Sequence, residues 1–255
     1  MIAIRDLAVR FGTQTVASVP ELDVGPGEIV GIAGESGSGK SMTALAVLGL
    51  AQIAGARVTG SVRLGDRELV GLPERQLRAI RGRRIAMIMQ SPRASLNPTL
   101  RLGDLLERTL RLHGVARAAV AARGRDAMQG VLLDPALLRR YPHEVSGGQA
   151  QRFAIALVLA LGAEVVIADE PTSALDVTVQ AEIVDVLRRL RERGAAQIFI
   201  SHDLAVISQL ADRVLVMRAG EVVEAGLAAH VLTAPAEAYT RELVAAVPRI
   251  GDRSA

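Results

Sequence analysis

Four short apolar segments, each running into polar or glycine residues, constrain this chain more than anything else in it. They are EIVGIAG (28–34), RIAMIMQ (84–90), VVIADE (165–170) and QIFISH (197–202). Continuous apolar runs of this length read as strands buried on both faces, the pattern of parallel sheets. Helical patterns follow at least three of them. Lys40 to Leu50 is one, and Asp176 to Arg193 is another, with Ile183, Val186, Leu187 and Leu190 on one face and Gly194 as its stop. Strands alternating with helices predict an α/β fold on a mostly parallel sheet. Ligands of such sheets bind beyond the carboxyl ends of the strands, where the polar residues of all four segments collect.

Composition narrows the chemistry. Half of the 255 residues are hydrophobic but only 2% are aromatic, so the core must be built from Ala, Val, Leu and Ile. With no Cys, disulfides, thiolate metal sites and a Cys nucleophile are excluded. His113, His143, His202 and His230 lack metal-ligand spacing. The opening MIAIRDLAVRFG carries an early acid and no apolar core of signal-peptide length. The most apolar stretch, FAIALVLALGAEVVIADE, is broken by Gly162 and Glu164. A spanning helix needs about 20 apolar residues, so a soluble chain is expected. The pI of about 10.1 overstates a net charge of only +3. The densest basic run, LRAIRGRRIAM, has no aromatic residue to stack bases, so no nucleic-acid partner is expected.

Outside the parallel segments, residues 1–27 and 58–72 show short alternating stretches with Gly-Asp turns, predicting a small antiparallel layer. Residues 100–145 are mostly helical in pattern. LRLGDLLERTLRLHG is the clearest helix there, and VARAAVAARGRDAMQGVLLD is a weaker one because Gly124 and Gly130 interrupt it. RVLVMRAGEVVEAG reads as a hairpin turning at Ala219-Gly220, and the final GDRSA is expected to fray.

GESGSGKS, comprising Gly34, Glu35, Ser36, Gly37, Ser38, Gly39, Lys40 and Ser41, fits the pattern G-x-x-x-x-G-K-[ST]. It follows a strand and opens a helix that continues with Met42, the setting a phosphate cradle requires. Glycines let backbone N–H groups curl around phosphate oxygens, and the helix N-terminus adds partial positive charge. Lys40 would reach the β- and γ-phosphates of a bound ATP, and the Ser41 hydroxyl would hold Mg²⁺. Of 30 Lys plus Arg, Lys40 is the single lysine. Arg is a bulky planar fork and Lys a compact charge on a slim stem. A loop wrapped around a triphosphate has room for the second and not the first.

The strand EVVIADEP ends in Asp169-Glu170. Neighbouring strand residues point to opposite faces unless the strand ends there, so the two carboxylates can take different roles. Asp169 would bind Mg²⁺ through water, and Glu170 would polarise the attacking water as general base. VSGGQ (145–149) opens the helix AQRFAIALVLAL, with Ser146 as a natural N-cap and two glycines exposing backbone N–H groups. This is a second anion-binding helix terminus, without a lysine.

With these motifs in this order the chain resembles the ATPase subunit of an ATP-binding-cassette (ABC) transporter over essentially its whole length, with Val145 in place of the usual Leu of the signature. The resemblance implies a P-loop NTPase core on a mostly parallel sheet, with a small antiparallel β subdomain and an inserted α-helical subdomain. Within one domain over 1–255 the expected parts are the β layer near 1–27 and 58–72, the core near 28–57, 73–98 and 150–217, the helical part near 99–149, and the C-terminal hairpin and tail 213–255. It implies head-to-tail pairing with a second ATPase subunit, a heterodimer by preference over a homodimer, with ATP between the loop of one and the signature of the other. Ser146, Gly147, Gly148 and Gln149 would act on the partner's ATP. Gln90 matches the glutamine that contacts Mg²⁺ and water, Asp176 the loop coupling the two sites, and His202 the histidine holding the γ-phosphate. Phe11 matches the aromatic that stacks on adenine, with a strand-core Phe as the equal alternative.

MQSPRASLNP, RRYPHEVSGGQAQR, DEPTSALDVTVQAEI and the tail EAYTRELVAAVP resemble the peptide/nickel importer ATPases, although the tail carries Glu-Ala rather than His-Pro before Tyr239-Thr240. The early stop and absent Cys lean towards nickel or metallophore cargo over a di- or oligopeptide. The implied partners are membrane permease subunits and, indirectly, an extracytoplasmic solute-binding protein, at the cytoplasmic face of a bacterial inner membrane. The competing expectation is a non-transport ATPase accessory to a soluble complex, such as one degrading phosphonates. Chromosome and DNA-repair versions fail, because they need a long coiled coil or zinc cysteines.

Overall fold

In the computed structural model, which describes residues 1–173 and 175–247 (the side chains of Pro92 and Arg93 aside), β1 (Ile2–Phe11) and β2 (Gln14–Val24) form a hairpin. β3 (Ile29–Ala33), α1 (Lys40–Val47), β4 (Arg57–Leu64) and β5 (Arg67–Glu68) follow. Next come α2 (Glu74–Ile80), β6 (Ile85–Ile88), α3 (Pro92–Ser95), α4 (Leu102–Leu112), α5 (Arg117–Gly130), α6 (Gly147–Leu161), β7 (Val165–Asp169) and α7 (Val177–Glu192). The chain continues through β8 (Ala196–Ile200), α8 (Leu204–Leu210), β9 (Arg213–Arg218), β10 (Glu221–Leu227), α9 (Ala228–Val231) and α10 (Ala238–Ala245). The terminal GDRSA lies outside the described residues. Met1–Pro73 with the segment from Ala196 onward forms one unit, and Glu74–Ala195 forms another.

In the first unit the strands run in the order β5-β4-β1-β2-β10-β9-β3-β8. β3 sits between β8 and β9 and is parallel to both, and all five residues of β3 and of β8 are buried. A strand enclosed on both faces strongly favours apolar residues, which is why these segments were legible, Gln197 of β8 being the one polar side chain buried in them. β1, β2, β4 and β5 pair antiparallel, and β9–β10 is an antiparallel hairpin. Its turn is Ala219-Gly220, both at positive φ (48° and 88°), the backbone a two-residue hairpin demands.

The apolar residues of β1 change phase, from Ile2 and Ile4 to Leu7 and Val9, yet all four are buried. A bulge accounts for this. The register against β4 shifts between Arg5 and Ala8, and Asp6 takes φ 46°. Gly60 lies opposite, where an added Cβ would meet the Asp6 carbonyl at 2.2 Å.

The β4–β5 corner is held by one carboxylate. Oε1 of Glu68 accepts the N–H groups of Val62 (2.9 Å), Leu69 (3.0 Å) and Val70 (2.9 Å), and Oε2 accepts the Ser61 hydroxyl. Burial pushes the Glu68 carboxyl up, but the bonds from Ser61 and the three amides outweigh it and hold the carboxyl below the usual range. A depressed folded value stabilises above the unfolded pKa of about 4.3, and that contribution is lost as pH falls through the folded value. Glu68→Gln is therefore expected to lower the melting temperature by about 3 °C near pH 7. The gap to the parent should close in acid, as followed by circular dichroism across a pH series. A gap that does not narrow at low pH would remove the charge as the cause.

In the second unit β6 and β7 pair in parallel, Ile85 with Val165 through Ile88 with Ala168. α4 buries Leu102, Leu106 and Leu110 along one stripe. α5 is a continuous helix despite its two glycines, and its neighbours explain them. An added Cβ on Gly124 would meet the Leu106 side chain at 2.6 Å, and one on Gly130 would meet Leu159 at 3.3 Å. The glycines that weaken the helical pattern allow α4 and α6 to approach. No helix among the described residues is long and apolar enough to cross a membrane.

Candidate functional site

The loop 34–41 joins the carboxyl end of β3 to α1. Three of its glycines hold φ values that favour glycine: Gly34 at 145°, Gly37 at 81° and Gly39 at 102°. Its rear is closed by backbone, since an added Cβ would stand 2.2 Å from the Met217 carbonyl at Gly34 and 2.5 Å from the Val16 carbonyl at Gly39. Its front is open, for an added Cβ at Gly37 meets nothing within 4 Å. The Gly220 N–H donates to the Ser38 carbonyl (3.1 Å) and the Ser18 N–H to the Gly220 carbonyl (2.6 Å), so the turn of the C-terminal hairpin seats the loop.

Lys40 is only 4% exposed. Its Nζ donates to the carbonyls of Gly34 (2.8 Å) and Glu35 (2.7 Å), which holds the ammonium inside the curl of the loop. α1 starts at Lys40 with Gly39 as N-cap and no side-chain cap bond. A helix start of this kind presents backbone N–H groups and partial positive charge suited to an anion. Ser36 and Ser41 are exposed and Met42 is half-buried. A loop with a closed back, an open front, an inward ammonium and a helix start at its end fits the polyphosphate of a nucleotide.

His202 follows β8, whose Ile200 pairs with Ile32 of β3. The Ser201 N–H donates to the Ile32 carbonyl at 3.2 Å. His202 and the loop therefore leave the carboxyl ends of adjacent parallel strands. Asp203 caps α8 through the amides of Ala205 (2.8 Å) and Val206 (3.3 Å), while His202 stays exposed. Phe11 closes β1 opposite Gln14 and is 37% exposed. The ring is therefore partly exposed at the end of the strand rather than fully buried in the core.

The second unit assembles its own cluster. β7 ends at Asp169, which is 7% exposed, and Glu170 follows at φ 45°, a left-handed value uncommon outside glycine. The turn is fixed by Ser173, whose N–H (3.2 Å) and Oγ (2.9 Å) both donate to the Glu170 carbonyl. Gln90, two residues past the end of β6, donates from Nε2 to Glu170 Oε2 at 2.9 Å. Residues 80 positions apart in sequence are thus joined because β6 and β7 are neighbours.

Ser146 caps α6 in a reciprocal box, with Gln149 N–H to Ser146 Oγ (3.2 Å) and Ser146 N–H to Gln149 Oε1 (2.9 Å). Gly147 is exposed beside them, and Val145 is buried. Asp176 caps α7, accepting the Val179 N–H at 2.9 Å. The starts of α6 and α7 touch, since an added Cβ on Gly148 would stand 3.0 Å from Val179. Arg152 and Glu182 pair at 2.8 Å one turn further on. The residues expected to serve a partner's nucleotide and those expected to couple two sites are packed as one corner.

For Mg²⁺, the Ser41 hydroxyl, the Gln90 amide and the Asp169 carboxylate are all hard oxygen donors, which suits that ion. Among the described residues no group of three or more His, Cys, Asp or Glu could hold a metal alone. One participant carries no sequence motif for its role. Tyr239 of α10 accepts the Glu35 N–H at 3.2 Å, and only the contact reveals it.

The family described as ABC transporter matches residues 18–173. The chain is 43% identical to the "Peptidoglycan transport ATP-binding protein YejF" of Agrobacterium fabrum, over 98% of this chain and 47% of that protein. It is 43% identical to the "Oligopeptide transport ATP-binding protein OppD" of Salmonella typhimurium, over 100% of this chain and 78% of that one. The "Glutathione import ATP-binding protein GsiA" of Escherichia coli matches at 42%, over 98% of this chain and 42% of its own length. The chain thus spans about half the length of two of these relatives. Among solved structures, the dimeric post-hydrolysis state of the ATP-binding cassette MJ0796 bound to ADP and Pi superposes with a TM-score of 0.79. It is 26% identical and covers 89% of this chain and 99% of that one. A family match over more than half of the chain, joined to relatives that align along nearly all of it and a loop shaped for polyphosphate, establishes that this chain belongs to the ABC transporter family as an ATP-binding-cassette ATPase.

Proposed function

We propose that this chain is the ATP-hydrolysing motor of a bacterial importer, attached at the cytoplasmic face of the inner membrane to permease subunits. Through them it would serve an extracytoplasmic solute-binding protein. The loop 34–41, closed behind by the backbone of β2 and β9 and carrying buried Lys40, supports the motor reading. Lys40 holds the β- and γ-phosphate oxygens as a point charge, and His202 holds the γ-phosphate. The Ser41 hydroxyl, Gln90 and, through water, Asp169 would hold Mg²⁺. When bound, the ion would supply neutralisation of phosphate charge. Glu170 accepts the proton of the attacking water, oriented by the Gln90 amide. Phe11 offers its ring to adenine. Ser146, Gly147, Gly148 and Gln149 address the nucleotide of a second ATPase subunit, and Asp176 couples the two sites. We assign that subunit as a related, non-identical chain, with a homodimer as the other outcome.

The names of the relatives, all transport or import proteins, support an importer over an accessory of a soluble phosphonate-degrading complex. They also favour a peptide-class cargo over a nickel–metallophore complex. Purification of the tagged chain from its own membranes in mild detergent is expected to bring down a permease and a second ATPase. Recovery of soluble lyase-type subunits instead would sink the importer reading. Uptake of labelled dipeptide and of nickel–metallophore by cells with and without the chain separates the cargo classes.

A further inference from the structure

We infer that Tyr239 is a positioning residue for the phosphate loop: its hydroxyl fixes the Gly34–Glu35 peptide that in turn places Lys40. This rests on the reading of 34–41 as the nucleotide cradle. The peptide unit between Gly34 and Glu35 is gripped from both edges. Its carbonyl accepts Lys40 Nζ at 2.8 Å, and its N–H, the amide of Glu35, donates to Tyr239 Oη at 3.2 Å. A peptide plane hinged at a glycine rotates easily when only one edge is held. Without the hydroxyl, rotation would carry the Gly34 carbonyl away from the ammonium and leave the amide without its partner. The bond spans 204 residues, so it belongs to the tertiary fold and not to the loop.

Tyr239 is itself built into place. It is 6% exposed, and the Arg218 guanidinium lies 4.8 Å over its ring. The start of its helix α10 is anchored by Glu224 of β10, whose carboxylate accepts the N–H groups of Ala236 (2.8 Å) and Glu237 (3.2 Å). Arg241 reinforces that turn by donating to the carbonyls of Pro235 (3.1 Å) and Ala236 (2.7 Å). The Glu237-Ala238 pair before Tyr239 therefore seats the tyrosine without the His-Pro that its relatives are expected to carry there. A tyrosine pinned at ring, helix and hydroxyl transmits the position of the C-terminal hairpin to the loop.

Tyr239→Phe keeps the ring and its Arg218 contact and removes only the acceptor. In the full-length chain, the dissociation constant for a fluorescent ATP analogue is expected to rise about fivefold, the effect of one hydrogen bond. kcat at saturating ATP should stay within about twofold, because a filled cradle reimposes the loop geometry. Amide exchange at Glu35 in nucleotide-free protein should speed up by about tenfold. Unchanged affinity, or a loss of thermal stability with no change in affinity, overturns the assignment. Arg218→Gln disturbs the ring but spares the hydroxyl, so an equal loss of affinity there would also overturn it. If the parent chain bound no nucleotide, the cradle reading would fall and this assignment with it. A parent that binds, with a Tyr239→Phe variant that binds equally, would sink the tyrosine alone.

Discussion

Glu170→Gln is expected to reduce ATP hydrolysis by about a thousandfold, the upper part of the range for removing a general base, while nucleotide affinity stays near that of the parent. The substitution preserves shape and removes the ability to take a proton. Glu170 sits at a left-handed backbone position, its carbonyl fixed by both donors of Ser173 and its carboxylate met by Gln90 at 2.9 Å. Holding a non-glycine residue there costs about 1 kcal/mol, and a turn so determined aims one side chain. An amide in that place can still accept from Gln90, so folding and binding should survive. The variant should accumulate as an ATP-stabilised dimer, read by light scattering with and without ATP, while phosphate release stalls. Phosphate release at the parental rate would remove Glu170 as the base.

Lys40→Arg is expected to weaken nucleotide binding or hydrolysis by about 10–100-fold although the charge is kept. Overpacking a fitted site costs about 1–3 kcal/mol, and each 1.4 kcal/mol is tenfold in affinity. The Lys40 ammonium is enclosed by two carbonyls of its own loop, and the loop cannot swell backwards. Backbone carbonyls of Val16 and Met217 stand directly behind Gly39 and Gly34. A guanidinium placed there must either displace the loop or point out of it. Titration with a fluorescent nucleotide, paired with a phosphate-release assay, measures both losses. Parental values in both would mean that the lone lysine among 29 arginines has no steric cause.

The strands β3, β6, β7 and β8 fall within one or two residues of the segments read from the sequence, because a strand enclosed on both faces has almost no choice of side chain. The Ala219-Gly220 turn was equally legible, since positive φ at two successive positions leaves few alternatives. α5 was harder. Gly124 and Gly130 lower its helical signal, and their reason, contact with Leu106 and Leu159, lies on other helices. The phase slip in β1 has the same character, for the bulge at Asp6 makes sense only with Gly60 of β4 opposite.

At the site, the loop 34–41 and the pair Asp169-Glu170 were readable because each is contiguous and its chemistry is local. Gln90 was placed by resemblance, while its bond to Glu170 needed the β6–β7 pairing. The capping roles of Gln149 and Asp176 were only partly visible, since an N-cap pattern names the helix start and not the neighbour it packs on. Tyr239 was not legible as part of the site. Nothing near EAYT says which amide its hydroxyl will meet, and a contact between the two ends of a chain leaves no short-range periodicity.

β3 carries a consequence for synthesis as well as for catalysis. Its two flanking strands, β8 and β9, are made more than 160 residues after it, and the Ile29 amide waits 183 residues for the Asp212 carboxylate. Contacts of such separation close late in folding. The phosphate loop thus acquires its rigid back only when β9, the hairpin turn and α10 have emerged. A nascent chain carries the motif long before it carries the cradle. ATP, used as a folding ligand, would therefore reward only chains made at least through α10.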